Sequence, residues 1–308
     1  MTEPVENVAA DARSKLRKLE LDVTRRLDGL LHGDHKGLVP GHGSELGETR
    51  RYQPGDDIRR IDWNVTARLP EAYIRQTIAE RELESWVVVD SAPRLGYGSG
   101  RREKRDLALA AAASVGFLTQ RDGNRLGAVL TGPRGEKVIA PRGSRKHLLH
   151  VLHQVGSART DEGAGVTDLS TTLARLGSIA KRRGLIAVIS DFRVQPGWEA
   201  AMGVLARRHD VIACELVDPL ELELPNVGLL PVVDPGTGVV VEVPTHKAKV
   251  RDAYAAAARE RRARLNAHFR RHGIDHIEMR TDHDWLDDVV RFVAQRKHRL
   301  LSTAGRRR

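Results

Sequence analysis

The sequence predicts an α/β protein: a mostly parallel sheet with helices on both faces, joined to a small N-terminal module of helix and short strands. Three observations carry this. Short, wholly apolar runs ending in a carboxylate recur, most clearly at 86–90 (WVVVD) and 185–191 (LIAVISD). Such runs suit strands buried on both faces. Segments of helical period alternate with them, the succession that builds parallel sheets. The chain has 308 residues, enough for one sizeable core and a smaller flanking unit.

In chain order, residues 6–32 place Ala9, Ala12, Leu16, Leu19, Val23, Leu27 and Leu30 at helical spacing with charges between, which predicts a helix packed on the body of the protein. Residues 73–78 alternate like a half-buried strand. After the strand at 86–90, an Ala-rich helix is expected over 105–120. A hairpin over 125–130 and 136–139 turns through Gly132-Pro133-Arg134-Gly135. Helices follow at 145–155 and 168–181, then the strand at 185–191, a helix at 198–208 and a buried strand at 211–217. Residues 222–243 read as an excursion of short strands, clearest at 239–243. A basic helix at 247–271, a strand at 274–279 and a helix at 285–300 complete the pattern. The expected organisation is an N-terminal module over 1–85, an α/β domain over 86–300 and a basic disordered tail over 301–308.

Composition narrows the function classes. No apolar run approaches the roughly 18–20 residues of a membrane helix, and the N-terminus lacks the basic start and apolar stretch of a signal peptide. Cys214 is the single cysteine, which excludes an internal disulfide. A cytoplasmic protein is expected. The net charge of +10 is uneven: residues 1–85 hold 14 Lys/Arg against 16 Asp/Glu, net −2, and residues 86–308 hold 37 against 25, net +12. Nucleic-acid binding through the basic helix and the C-terminal arginines is therefore a second reading. Only Tyr254 and Phe269 offer rings there for base stacking, and a solvated basic surface is the simpler expectation.

The most unusual stretch is 41–68, GHGSELGETRRYQPGDDIRRIDWNVTAR. It sets Glu45, Glu48, Asp56, Asp57 and Asp62 against Arg50, Arg51, Arg59, Arg60 and Arg68, with Tyr52 and Trp63 its only aromatics. Charges that alternate over so few residues favour a network of Arg–carboxylate pairs. Pro54-Gly55-Asp56-Asp57 reads as a turn, because Pro presets φ, Gly permits positive φ and Asp bonds nearby backbone N–H groups. A metal-dependent hydrolase built on Asp56, Asp57 and Asp62 is a third reading. Adjacent cations for every acid make neutralised ion pairs the simpler account.

On these residues the chain resembles the domain of unknown function 58 family. The pattern Gly-x-Gly-x-Glu falls on Gly41, Gly43 and Glu45, and Arg-x-Tyr on Arg50 or Arg51 with Tyr52. The run Pro-Gly-Asp-Asp-x-Arg-x-Ile-Asp-Trp falls on Pro54–Asp57, Arg59, Ile61, Asp62 and Trp63, followed by Arg68. The resemblance implies a von Willebrand A-like domain. It also implies a non-enzymatic interaction or adaptor role beside a MoxR-type AAA+ ATPase, acting on a client protein. The 41–68 module would then brace the domain or present a binding surface.

Asp90 and Asp191 end strands, where ligands bind in open sheets of this class. The resemblance further implies a metal-ion-dependent adhesion site, with Asp90, Thr167 and Asp191 on three of its ligand positions. Its two serine positions are Ala92 and Arg94. One ligand is thus a methyl group, and a guanidinium falls where Mg²⁺ would sit. The expectation is a degenerate site without metal, no cofactor, and Mg²⁺ as the alternative. Asp at a strand end and Thr-Asp at a helix start are also ordinary capping chemistry. No zinc set completes around His147, His150 and His153, or around His268, His272 and His276. The chain has no phosphate-cradling Gly-rich loop with Lys-Ser/Thr and no Gly-x-Ser-x-Gly element. Enzymatic activity is not expected.

Overall fold

The computed structural model describes residues 49–53, 61–68, 71–75, 83–121, 123–133, 135–158, 167–233 and 238–305, together with Leu19, Leu21, Val23, Arg25 and Ile58. Two compact units are present, Pro40–Glu82 and the remainder. The module expected over 1–85 is thus divided between them.

In the small unit, β1 (Thr49–Arg51) pairs antiparallel with β2 (Tyr73–Arg75), in the register Arg51 to Tyr73. A single helical turn, α1 (Trp63–Thr66), lies between them in sequence. Asp62 caps it by accepting from Val65 N at 3.4 Å, the usual remedy for unpaired N–H groups at a helix start. Thr66 ties the turn to the strand by accepting from Tyr73 N at 3.0 Å. The strand expected over 73–78 is described only to Arg75.

The large unit is built on a six-stranded sheet. Its elements are β3 (Glu84–Asp90), α2 (Lys104–Arg121), β4 (Arg125–Gly132), β5 (Gly135–Arg142), α3 (Arg145–Gly156), α4 (Leu169–Ile179), β6 (Leu185–Ser190), α5 (Trp198–Ala206), β7 (Asp210–Val217), β8 (Leu229–Val233), β9 (Val240–Pro244), α6 (Ala248–His272), β10 (Asp275–Arg280) and α7 (Trp285–Gly305). The sheet order is β10-β7-β6-β3-β4-β5. All neighbours are parallel except β5, which closes the edge as the antiparallel arm of a hairpin with β4. β8 and β9 form a separate antiparallel hairpin.

Alternation along the strands splits the core into two layers. Val87 and Val89 of β3 face one apolar layer with α2, α3 and α7. Trp86 and Val88 face the other, with α4, α5 and α6. Val23 is buried in the first layer and Leu19 packs against it, so these residues of the expected N-terminal helix belong to the core of the large unit. Cys214 is buried in the same layer, and burial alone pushes its thiol up to about 12. One boundary differs from expectation: α7 continues to Gly305, five residues into the segment read as a disordered tail. Residues 306–308 lie outside the described residues.

Candidate functional site

Counted within the sheet, the strands run 3-2-1-4-5-6, the doubly wound order whose ligand crevice opens at the switch point between the first and fourth strands. Here those are β3 and β6. Asp90 is the last residue of β3, and Ser190 and Asp191 stand at the end of β6. Both carboxylates are buried, at 2% and 1% exposure.

Each is saturated with donors. Asp90 Oδ1 accepts from Ala92 N at 3.1 Å and from Thr167 Oγ1 at 3.3 Å. Asp90 Oδ2 accepts from Ser190 Oγ at 2.7 Å and from an Arg94 guanidinium nitrogen. Asp191 Oδ1 accepts from Arg94 Nε at 3.0 Å and Arg193 N at 3.0 Å. Asp191 Oδ2 accepts from Lys104 Nζ at 2.8 Å. Arg94 therefore spans the two strand ends. A 3-10 turn over Pro93–Gly96 carries it there, anchored by buried Leu95.

Lys104 opens α2 and is 1% exposed. Besides Asp191 it bonds Glu221 Oε1 at 2.8 Å, and that carboxylate also holds Arg193 Nε at 3.2 Å. Burial drives Asp191 upward, but the Lys104 and Arg94 charges outweigh it and hold its carboxyl at about 2. Burial raises Asp90, and Arg94 offsets only part of that rise. The result is a chain of alternating charge, Asp90, Arg94, Asp191, Lys104, Glu221, Arg193, in which each charge has an opposite neighbour.

Two further polar groups lie at the strand ends. Asp218, just after β7, accepts from Ser99 N and Ser99 Oγ at 2.6 Å each, from Thr281 Oγ1 at 2.7 Å and from Leu220 N at 3.0 Å. Buried Glu215 of β7 holds His276 Nε2 at 2.9 Å, with an Arg261 nitrogen 3.7 Å away.

The structure thus brings Asp90, Thr167, Asp191 and Arg94 together, with Ala92 contributing a backbone N–H in place of a hydroxyl. Ser91 turns away and donates to Thr131 O at 2.8 Å. Of the 41–68 stretch, Glu45, Gly55, Asp56, Asp57 and Arg59 lie outside the described residues, and Arg50 is described through its backbone in β1. Arg51 pairs with Glu71 at 2.7 Å on the surface. Tyr52 donates its N–H to Ala72 O at 2.8 Å. Asp62 is the buried cap, while Trp63 stands 68% exposed and Arg68 is exposed.

Sequence reasoning missed Lys104, Ser190, Arg193 and Glu221. Ser190 had a signal, since it precedes Asp191 at the strand end. Lys104 lies in the run RREKR at 101–105, where nothing marks one cation as buried. On α6, several arginines are occupied within the chain: Arg262 by Glu278, Arg264 by Glu260 at 2.5 Å, and Arg251 by Thr245 O at 2.6 Å. Among the described residues, no group of three or more His, Cys, Asp or Glu is placed to hold a metal ion. No helix among them is long and apolar enough to cross a membrane.

Known proteins resemble the chain at two levels. The uncharacterized protein Rv1480 of Mycobacterium tuberculosis is 45% identical over 288 residues, covering 93% of this chain and 90% of its own length. The uncharacterized protein MAV169 of Mycobacterium avium is 40% identical over 139 residues, 45% of this chain and 80% of its own. Among solved structures, the conserved hypothetical protein BatB from Bacteroides thetaiotaomicron matches 70% of this chain and 98% of its own at 11% identity and a TM-score of 0.42. The SpRpn10 VWA domain matches 68% and 94% at 10% identity and a TM-score of 0.35. The family model described as protein of unknown function DUF58 matches residues 48–264. The chain belongs to the DUF58 family.

Proposed function

We propose that this chain is a non-enzymatic adaptor whose von Willebrand A-like strand-end site is closed by a guanidinium rather than by a metal ion. The observation that carries this reading is Arg94 spanning Asp90 and Asp191. Mg²⁺ demands near-octahedral oxygen donors. Of the implied ligand set, Asp90, Thr167 and Asp191 remain, while the hydroxyl positions hold a methyl group and the guanidinium itself. Lys104 adds a second cation on Asp191. The residues present do not fit the metal, and no step of the proposed function runs through one.

In the closed, charge-balanced cluster the hydroxyls beside Asp90, those of Ser190 and Thr167, are fully buried, and Asp90 is already occupied by Arg94, so the site suits a rigid platform rather than turnover. The finer reading, carried by family membership, is partnership with a MoxR-type AAA+ ATPase that supplies mechanical work while this chain engages a client. The test is titration of the purified chain into a purified MoxR-type ATPase from the same organism, followed by sedimentation and by ATP hydrolysis. The reading expects a defined complex and an altered hydrolysis rate. Free sedimentation of both proteins with an unchanged rate would overturn the partnership.

A further inference from the structure

The β8–β9 hairpin carries surface unlike the rest of the protein. Among the described residues its two strands pair only with each other. Leu229, Val232, Val233, Val239, Val240 and Val241 are each between 41% and 59% exposed. The register sets Val232 beside Val241 on one face, and Leu229, Val233 and Val240 lie on the other. Both faces are therefore apolar and open. A lone two-stranded hairpin is marginal in water, and contiguous exposed apolar surface marks an interaction site.

The two edges differ. Pro231 stands opposite Glu242, and Pro244 opposite Leu229. Proline has no N–H, which puts these pairs at the non-hydrogen-bonded positions and leaves the ladder bonds to Leu230–Val243 and Val232–Val241. Leu229, Pro231 and Val233 then turn their backbones to one outer edge, and Val240 and Glu242 to the other. Pro231 interrupts the β8 edge at its centre, a common protection against strand addition. The β9 edge keeps both the N–H and the C=O of Val240 and of Glu242.

We propose that β9 is a docking strand, to which an extended segment of a partner protein adds as a third strand. The segment alternates apolar residues and places a lysine or arginine beside Glu242. Backbone bonds to Val240 and Glu242 hold it, and its apolar side chains extend one apolar face of the hairpin. Glu242 decides the occupant. It is exposed and is the one charged residue of β8 and β9. A second copy of β9 offers it only another carboxylate or an apolar side chain, whereas a basic residue pairs with it across the strands. The proposal does not depend on the state of the Arg94 cluster.

The probe is a fluorescein-labelled synthetic peptide of alternating valine and threonine with one central lysine, followed by anisotropy against the full chain. Saturable binding is expected. N-methylation of alternate peptide amides should weaken it about tenfold. Replacing the peptide lysine by glutamate should weaken it about fivefold, and Glu242→Lys, an exposed change that leaves the fold intact, should restore it. Absence of saturable binding, or binding indifferent to N-methylation and to the charge exchange, would overturn the proposal. A dimer of the chain that Val240→Pro dissolves would assign the strand to a second copy, and would overturn it equally.

Discussion

Lys104 donates to Asp191 at 2.8 Å, with both side chains only 1% exposed. A lysine is rarely buried this deeply without a partner, because an isolated charge in the interior costs several kcal/mol. Its Nζ lies between Asp191 and Glu221, while Asp191 is shared with Arg94. The cluster is therefore one connected unit, and removing any member takes a partner from the next.

Lys104→Met tests this directly. The variant leaves Asp191 with one cation instead of two and Glu221 with Arg193 alone. The expected loss is about 3–5 kcal/mol of folding stability, the usual effect of breaking a buried pair. Urea unfolding followed by circular dichroism measures it. A midpoint unchanged from wild type would show that the pair contributes nothing.

Acid stability should carry the signature of Asp191. Its folded pKa is held at about 2, below the ordinary carboxylate value. A depressed carboxylate contributes stability that is fully present above its unfolded pKa and is lost as pH falls through its folded one. The window is therefore roughly pH 4 down to pH 2, and the contribution is on the order of 2 kcal/mol. Asp90, raised by its burial, works in the opposite sense. Asp191→Asn is thus the diagnostic variant: it should lower stability at pH 7 and flatten the acid limb. An acid limb parallel to wild type would contradict the assignment.

A separate effect is expected near neutrality. His209 is 5% exposed, and burial together with the Arg208 charge lowers its pKa from the ordinary value. It folds neutral and must be charged in the unfolded chain as pH falls. Stability is present above about pH 6.5 and declines below it. His209→Leu should flatten unfolding free energy between pH 7 and pH 5. An equal slope in both proteins would place the titration elsewhere.

Close backbone approach sets a steric prediction. A Cβ at Gly184 would lie 1.8 Å from Glu84 O, at the point where β6 enters beside β3. Gly184→Ala must shift backbone rather than a side chain, with an expected cost of about 1–3 kcal/mol or more. A thermal midpoint equal to wild type would contradict this packing.

Much of this fold is written plainly in the chain. β3 and β6 announce themselves because strands buried on both faces need unbroken apolar runs, and the carboxylates that end them mark the crevice. Arg94 is visible because the family resemblance implies a serine at its position. Its reach to both carboxylates depends on the turn over Pro93–Gly96, which no periodicity displays. Lys104 was illegible because its long apolar stem lets a residue of surface type enter the interior, and its neighbours in sequence are also charged. Glu221 and Arg193 are distant in sequence and meet only through the topology. The last turn of α7 is hard to read because residues 301–305, LSTAG, carry none of the charges that mark the polar face of the turns before them and lead into three arginines that resemble a solvated tail.

The central claim is the proposal that the Arg94 guanidinium, spanning Asp90 and Asp191, stands in the place of a divalent cation. The most direct measurement is calorimetric titration of the purified protein with Mg²⁺ and Mn²⁺, beside the Ala92→Ser/Arg94→Ser double variant and Asp90→Ala. The account predicts no saturable heat for wild type or Asp90→Ala, and binding gained in the double variant as its two hydroxyls replace the methyl group and the guanidinium. Saturable binding by wild type that disappears in Asp90→Ala would contradict it.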